Sequence, residues 1–385
     1  MSGLSFLAFF AVVLSIIGGA NLYIARRVYQ CLSYFFPNVR FGAVICVFAV
    51  FMLLMLLGFG SSMLPFGATA KRALNTVGMY CMGAFVYLLV FTVASDIVAL
   101  AFYIFKQSVA TASLFRCIAG IAVLALTAST VIYGIWNARD IDKISYTIKT
   151  EGRAEIPETK IALISDLHLG AIGSEARLER IVSEINAQNP DVICIAGDFF
   201  DTDFDSIRDP ERAMETIKKL SAKYGVYMCF GNHDAGSTFN KMREFAEKCN
   251  INVLNDEQAV VDGRLVIVGR LDRSPIGGYG GLKRGDFSDI GIENEANLPI
   301  VVLDHNPAHI DSYIGSEADV VLCGHTHKGQ LFPANLITNA MYKVDHGHYK
   351  ENAESPDVIV TSGIGTWGMP MRVGTHSELV TIFVS

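Results

Sequence analysis

YMCFGNHDAG, residues 227–236, joins an apolar run closed by Gly231 directly to Asn232, His233 and Asp234. A short apolar run ended by glycine reads as a strand buried on both faces. Three coordinating side chains at its end form either an idle surface turn or one corner of a site. The choice depends on whether other strands end the same way. Four more do. SDLHLG brings Asp166 and His168, GDFFD brings Asp198 and Asp201, LDHNP brings His305, and GHTH brings His325 and His327. In open α/β sheets ligands gather beyond the carboxyl ends of strands, so segments far apart in sequence converge there.

The strands belong to the second of two compositionally distinct parts. Residues 1–136 hold seven Lys or Arg and one acid, Asp96, and the rest of the chain carries 24 basic and 37 acidic side chains, a formal −13. Such an acidic half argues against nucleic acid as a partner, because phosphate backbones need a basic face. It leaves room for a small phosphorylated substrate whose charge is met by bound cations.

Four apolar stretches, at about 4–25, 42–64, 77–105 and 112–136, are each long enough for a helix to cross a bilayer. The first has no basic residue ahead of it, no small-x-small cleavage site and three spans behind it, so it reads as a retained span. The expected organisation is a four-span transmembrane region over 1–136, a linker with a possible first strand over 137–158, and a catalytic domain over 159–385. Four spans place both ends of the chain on one side of a membrane, the cell membrane by expectation. Arg26, Arg27 and Arg40 after the first span favour an extracytoplasmic catalytic domain; Lys71 and Arg72 pull the other way. Asp96 is the lone acid within a span, and Ser95 or a backbone group is its expected partner.

Beyond residue 137 strand-like and helix-like segments take turns. IALIS, DVICIAGD and GVYMCFGNHD alternate with helical SEARLERIVSEINAQ, where Ser174 is the expected N-cap, with DPERAMETIKKLSAKY and with TFNKMREFAEKC. INVLN, QAVVD and RLVIVG follow as shorter strands, with Asp262-Gly263 as a hairpin turn. This pattern predicts a layered α/β or αββα sandwich. The eight cysteines include no C-x-x-C pair, so neither a zinc knuckle nor a disulfide scaffold is indicated.

Carboxylate, imidazole and one amide oxygen together suit manganese, iron or zinc better than calcium, which prefers nearly all oxygen. Seven ligands with one carboxylate shared are enough for two divalent ions with open positions.

With D-x-H, G-D-x-x-D, G-N-H-D, a single His and G-H-T-H in that order, residues 160–385 resemble the calcineurin-like metallophosphoesterase family. The tail SGIGTWGMPMRVG is similar to the branch that follows a membrane anchor. The resemblance implies a four-layered αββα fold and a binuclear centre. Asp166, His168 and His327 would hold one metal, Asn232, His305 and His325 the other, and Asp198 would bridge. His233 would protonate the leaving oxygen, oriented by Asp201. Asp234 is read as support for the loop. Lys328, where the branch has a small residue, and Arg372 are candidate phosphate contacts. His309, His346, His348 and His376 are read as packing or surface residues, and Asp272 as a loop residue near the site.

The implied activity is hydrolysis of a phosphodiester or pyrophosphate on a small-molecule or lipid substrate, a UDP-diacylglucosamine-type lipid A precursor being the most concrete case. The competing reading, a membrane sensor or scaffold that binds without turnover, would show a missing ligand or proton donor, and every position is filled. Nothing in the sequence points to a protein partner.

Overall fold

The computed structural model describes residues 3–104, 109–172 and 174–385. The chain divides into two compact units, Met1–Gly134 and Ile135–Ser385.

The first unit consists of helices α1 (Gly3–Phe35), α2 (Phe41–Phe59), α3 (Ala68–Ile104) and all but the last three residues of α4 (Val109–Asn137). Each contains a stretch long and apolar enough to span a membrane: Ala11–Phe35, Phe41–Phe59, Ala68–Ala101 and Leu114–Asn137. Residue 105, the end of the expected third span, and the first residues of the expected fourth fall outside the described positions or side chains. Gly58 and Gly78 let α2 and α3 approach closely, since a Cβ on either would collide with the other's Cα. Ile24, Met55, Phe85, Leu88 and Val123 fill the space between helices, while many apolar side chains, such as Val47, Phe59 and Ile132, face outward.

Two expectations change here. Arg26 and Arg27 lie inside α1, not in a loop. Asp96 pairs with Arg27 at 2.6 Å and accepts a hydrogen bond from the Tyr23 hydroxyl at 2.5 Å, while Ser95 donates to its own helix at Thr92. Asp96 is half-buried, with its side chain 29% exposed, and a carboxylate on an apolar helix gains most from a full opposite charge. α1 runs past the end expected for it, to Phe35.

The second unit is built on β1 (Ile141–Ile148), β2 (Thr159–Ile164), β3 (Val192–Ala196), β4 (Val226–Cys229), β5 (Ile251–Val253), β6 (Glu257–Val261), β7 (Leu265–Gly269), β8 (Ile300–Leu303), β9 (Val320–Cys323), β10 (Gly347–Tyr349), β11 (Asp357–Val360) and β12 (Ser377–Val384), with α5 (Ser174–Asn186), α6 (Pro210–Ile217), α7 (Phe239–Lys248) and α8 (Ala334–Met341). The Ser174 side chain, the expected cap of α5, lies outside the described residues. Asp209 caps α6, its carboxylate accepting from Arg212 N.

Two six-stranded sheets form, in the orders β1-β12-β2-β3-β4-β5 and β10-β11-β9-β8-β7-β6. β2, β3 and β4 are mutually parallel, as are β7, β8 and β9, so their carboxyl ends lie together. The sheets face each other across Leu163, Cys194, Ile267, Val301 and Leu322. Helices α5–α7 cover the far side of the first sheet through Ile181, Met242 and Phe245. The far side of the second is covered chiefly by loops and the 3₁₀ segment Pro307–Tyr313, through Ile310 and Tyr313. This is an αββα sandwich with a thin fourth layer. Asp262 and Gly263 take φ of 47° and 64°, the paired left-handed turn that closes the β6–β7 hairpin. β1, within the expected linker, runs parallel to β12.

Candidate metal centre

Each candidate ligand follows a strand end: Asp166 and His168 after β2, Asp198 after β3, Asn232 after β4, His305 after β8, His325 and His327 after β9. Five of them, Asp166, His168, Asp198, His325 and His327, have φ between 48° and 72°. For residues other than glycine this conformation costs on the order of 1–3 kcal/mol each and persists where the surroundings impose it. Gly231 and Gly324 make room, since a Cβ would strike Asp198 at the first and Ser165 and Asp166 at the second.

Two donor groups result. In one, Asp166 Oδ1 lies 3.3 Å from His327 Nε2, which lies 3.1 Å from His168 Nε2. In the other, Asp198 Oδ2 is 3.0 Å from His305 Nε2, and His325 Nδ1 is 3.3 Å from His305 Nε2 and 2.8 Å from Asn232 Oδ1. Asp198 Oδ2 also lies 3.8 Å from His168 Nε2, so one carboxylate faces both groups. The chemistry of this donor set fits cations. His305 donates its Nδ1 proton to the Ala196 carbonyl at 2.8 Å, which turns Nε2 toward the Asp198 carboxylate, where a proton or a cation must stand between the two. His168 and His327 point ring nitrogens at one another. Such lone pairs repel unless a proton or a positive ion lies between them.

The electrostatics divide the histidines: His325 and His327 are held neutral, whereas His305 is held charged by Asp198. Burial alone would raise the Asp198 carboxyl, but the charge and hydrogen bond of His305 hold it well below the carboxylate range. Burial would lower His305, but Asp198 takes it well above its ordinary value. Burial and the neighbouring His305 push His325 down to about 4, and burial with His168 and Arg372 pushes His327 down as well. Neutral imidazoles are the ligating form.

Around the ligands, backbone amides fix the carboxylates: His325 N donates to Asp166, and His233 N donates to Asp198 Oδ1 at 2.8 Å. Asp234 is fully buried and accepts from Phe200 N and Gly231 N, with burial and Asp198 pushing it up to about 8. It braces the GNHD loop. Asp272 is also buried, accepting from Ser274 N, and Asp272 N is bound to the hydroxyl of Tyr279, which itself donates to Gly231 O.

Two site expectations meet a different geometry. His233 Nδ1 lies 2.7 Å from the Thr202 hydroxyl and 3.9 Å from Asp201, so Thr202 is the group that orients the ring. Asp201 lies as close, 3.8 Å, to His168 Nδ1. Arg372 is fully buried, donating to the carbonyls of Ser362, Gly365 and Gly363 at 2.6, 2.8 and 3.1 Å and to Thr375 Oγ1 at 2.8 Å. A phosphate contact is therefore replaced by a structural one: the guanidinium ties the 362–365 loop beside His327, 3.3 Å from its Nδ1. Lys328 is half-buried, has φ 50°, and makes no ion pair among the described residues. Trp367, its ring 5.6 Å from that of His233, was not singled out by sequence; no spacing or composition distinguishes it.

A layered α/β sandwich whose strand ends gather acids and imidazoles into two adjoining donor groups defines a class of metal-dependent hydrolase folds. The calcineurin-like phosphoesterase model matches residues 159–329, and the chain carries a domain of that family. An uncharacterized metallophosphoesterase of Campylobacter jejuni is 27% identical over 98% of both chains. A zebrafish transmembrane protein with metallophosphoesterase domain is 30% identical over 68% of this chain and 62% of its own. The Chlamydia trachomatis UDP-2,3-diacylglucosamine pyrophosphatase LpxG is 24% identical over 64% of this chain and 91% of its own. Four apolar helices and relatives of that kind make this a membrane protein.

Proposed function

We propose that the chain is a membrane-bound phosphoesterase that hydrolyses a phosphodiester or pyrophosphate at a binuclear centre. One observation carries this reading: donor atoms from five strand ends converge on two groups that share Asp198. Asp166, His168 and His327 would hold one divalent ion; Asn232, His305 and His325 the other, with Asp198 between them. Two such ions, manganese, iron or zinc by donor type, supply electrophilic activation of phosphorus and a nucleophilic water at neutral pH.

The chain's own residues do the rest. His233 stands at the edge of the donor groups with one nitrogen fixed by Thr202 and the other free to give a proton to the leaving oxygen. Its side chain is 13% exposed, enough to meet a substrate and little enough to limit water. Positioned acid catalysis of this kind contributes roughly 100- to 10,000-fold. Asp234, Tyr279 and Arg372 hold the ligand-bearing loops.

The substrate we favour is lipid-linked or nucleotide-linked, and the resemblance to a UDP-diacylglucosamine pyrophosphatase makes that pyrophosphate the first to try. We also propose an extracytoplasmic catalytic unit. The two assignments pull apart, because a nucleotide-linked lipid precursor requires a cytoplasmic site. Protease accessibility in sealed vesicles decides between them. Metal-dependent turnover of a phosphomonoester, a phosphodiester and a UDP-linked lipid in parallel tests the activity. His233→Ala is expected to slow the reaction by roughly 100-fold or more while metal binding persists. Undiminished turnover in that variant rejects the assigned proton donor.

A further inference from the structure

Helix α8 is amphipathic the wrong way round for a soluble surface. On a helical wheel Leu336, Ala340, Ile337 and Met341 fall within a sector of about 140°, and all four face outward. Of the polar residues Asn339 is exposed, but Asn335 and Thr338 turn to the protein. Thr338 donates to Asp345 Oδ2 at 2.7 Å, and the Asn335 side-chain oxygen is buried. A helix on a water-facing surface shows the opposite arrangement.

Two more exposed apolar side chains adjoin this face. Phe332 leads into α8, and Trp367 is clamped to the same loop, its amide and carbonyl bound to the Gln330 side chain at 2.8 and 2.9 Å. Phe332, Leu336, Ile337, Met341 and Trp367 are 46, 61, 60, 70 and 45% exposed, which marks a patch and not stray surface residues. It borders the metal centre on two sides: the Trp367 ring packs near His233, and Tyr342, just past α8, lies 6.2 Å ring to ring from His325.

We propose that this face enters the interfacial layer of a lipid bilayer, so that the metal centre opens against membrane lipid. Two observations select lipid as the occupant. The chain's own four apolar helices keep a bilayer within reach at all times, which raises its effective concentration. The local charge also favours it, through Lys328 alone. In a half carrying a formal −13, residues 328–344 hold two lysines and no acid. Lys343 is paired with Asp311 and Glu351, and Lys328 makes no ion pair among the described residues. Apolar and aromatic side chains flanked by lysine are the composition of interfacial segments on anionic lipid. The ligand is thus an amphiphile whose phosphate lies at the depth of the head groups. That catalytic use rests on the function proposed above; the docking does not.

The test uses the full-length protein reconstituted in anionic vesicles. Replacing Trp136 by Phe leaves Trp367 as the single tryptophan. Brominated acyl chains are expected to quench its emission, and Leu336→Asp/Ile337→Asp/Met341→Asp is expected to abolish the quenching. The same triple variant should lose activity on a vesicle-borne phosphodiester on the order of tenfold or more per side chain withdrawn, and keep it on soluble bis(p-nitrophenyl) phosphate. Trp367 emission indifferent to brominated lipid overturns the docking, whether or not the protein is a hydrolase. So does a detergent-stable dimer that the triple variant splits, which would assign the face to a second copy. Quenching without any hydrolysis would retain the docking and reject the catalytic reading.

Discussion

The Arg27–Asp96 contact of the helical unit and the His305–Asp198 contact of the catalytic unit have similar lengths, 2.6 and 3.0 Å. Their surroundings differ. Asp96 meets one full cation and a tyrosine hydroxyl, so its charge is answered within the bundle. Asp198 faces His305 on one side and His168 on the other, while the ring nitrogens of His325 and His327 crowd against those of His305 and His168. The first cluster is complete as protein. The second is a set of donors that needs something positive to complete it. Asp198 is also the more deeply buried, 2% exposed against 29% for Asp96, so burial and unanswered donor capacity together mark the site.

The largest effect that could break this contrast comes from the two aspartates themselves. Asp198→Asn is expected to reduce kcat/KM by about 1,000-fold or more, because a carboxylate facing both donor groups is lost. Metal content of the purified protein, measured by mass spectrometry, should fall with it. Asp96→Asn should leave metal content and turnover of a soluble substrate unchanged and cost about 1–2 kcal/mol of bundle stability, with Arg27→Leu restoring part of the loss. Equal metal content in wild type and Asp198→Asn would erase the distinction.

A smaller effect sharpens the assignment around His233. Thr202→Val removes the hydroxyl 2.7 Å from the ring and should lower kcat about 10- to 100-fold with KM little changed. Thr202→Ser should recover most of it. Asp201→Asn, 3.9 Å away, should do less. The reverse order would return the orienting role to the acid.

How far these features were legible in the sequence follows from their range. The ligands could be read because each belongs to a local unit, an apolar strand followed at once by a turn; glycines such as Gly231 and Gly324 mark the close approach. The hairpin at Asp262-Gly263 is equally local. Thr202, Trp367 and the partners of Arg372 could not be read. They depend on loops from separate strands meeting, and nothing in the spacing of GDFFDT or GTWG says which side chain reaches His233. Asp96 lay between these cases. Its rarity announced it, but its partner sits 69 residues away on another helix, so only the packing of α1 against α3 could name Arg27.

The contrast also predicts an acid-sensitive pair within the catalytic unit that behaves like the helical one. Glu378 is 2% exposed, accepts from His346 Nε2 at 2.9 Å, and receives the amide and hydroxyl of Ser362 at 2.9 and 2.8 Å. Burial alone would raise its carboxyl, but His346 and Ser362 together hold it below the ordinary glutamate value. A depressed folded value means the unfolded chain binds the proton more readily, so this contribution is present above about pH 4.3 and fades as pH falls through the folded value. Glu378→Gln should therefore lower stability by about 1–2 kcal/mol at neutral pH, and the deficit should shrink on acidification. Thermal melts of both proteins from pH 7 down to about pH 3.5 measure this. Because Ser362 O also accepts from Arg372, the loop beside His327 should loosen with the change. A deficit that stays constant with pH would mean that the Glu378 charge contributes nothing, and that packing alone holds this corner of the site.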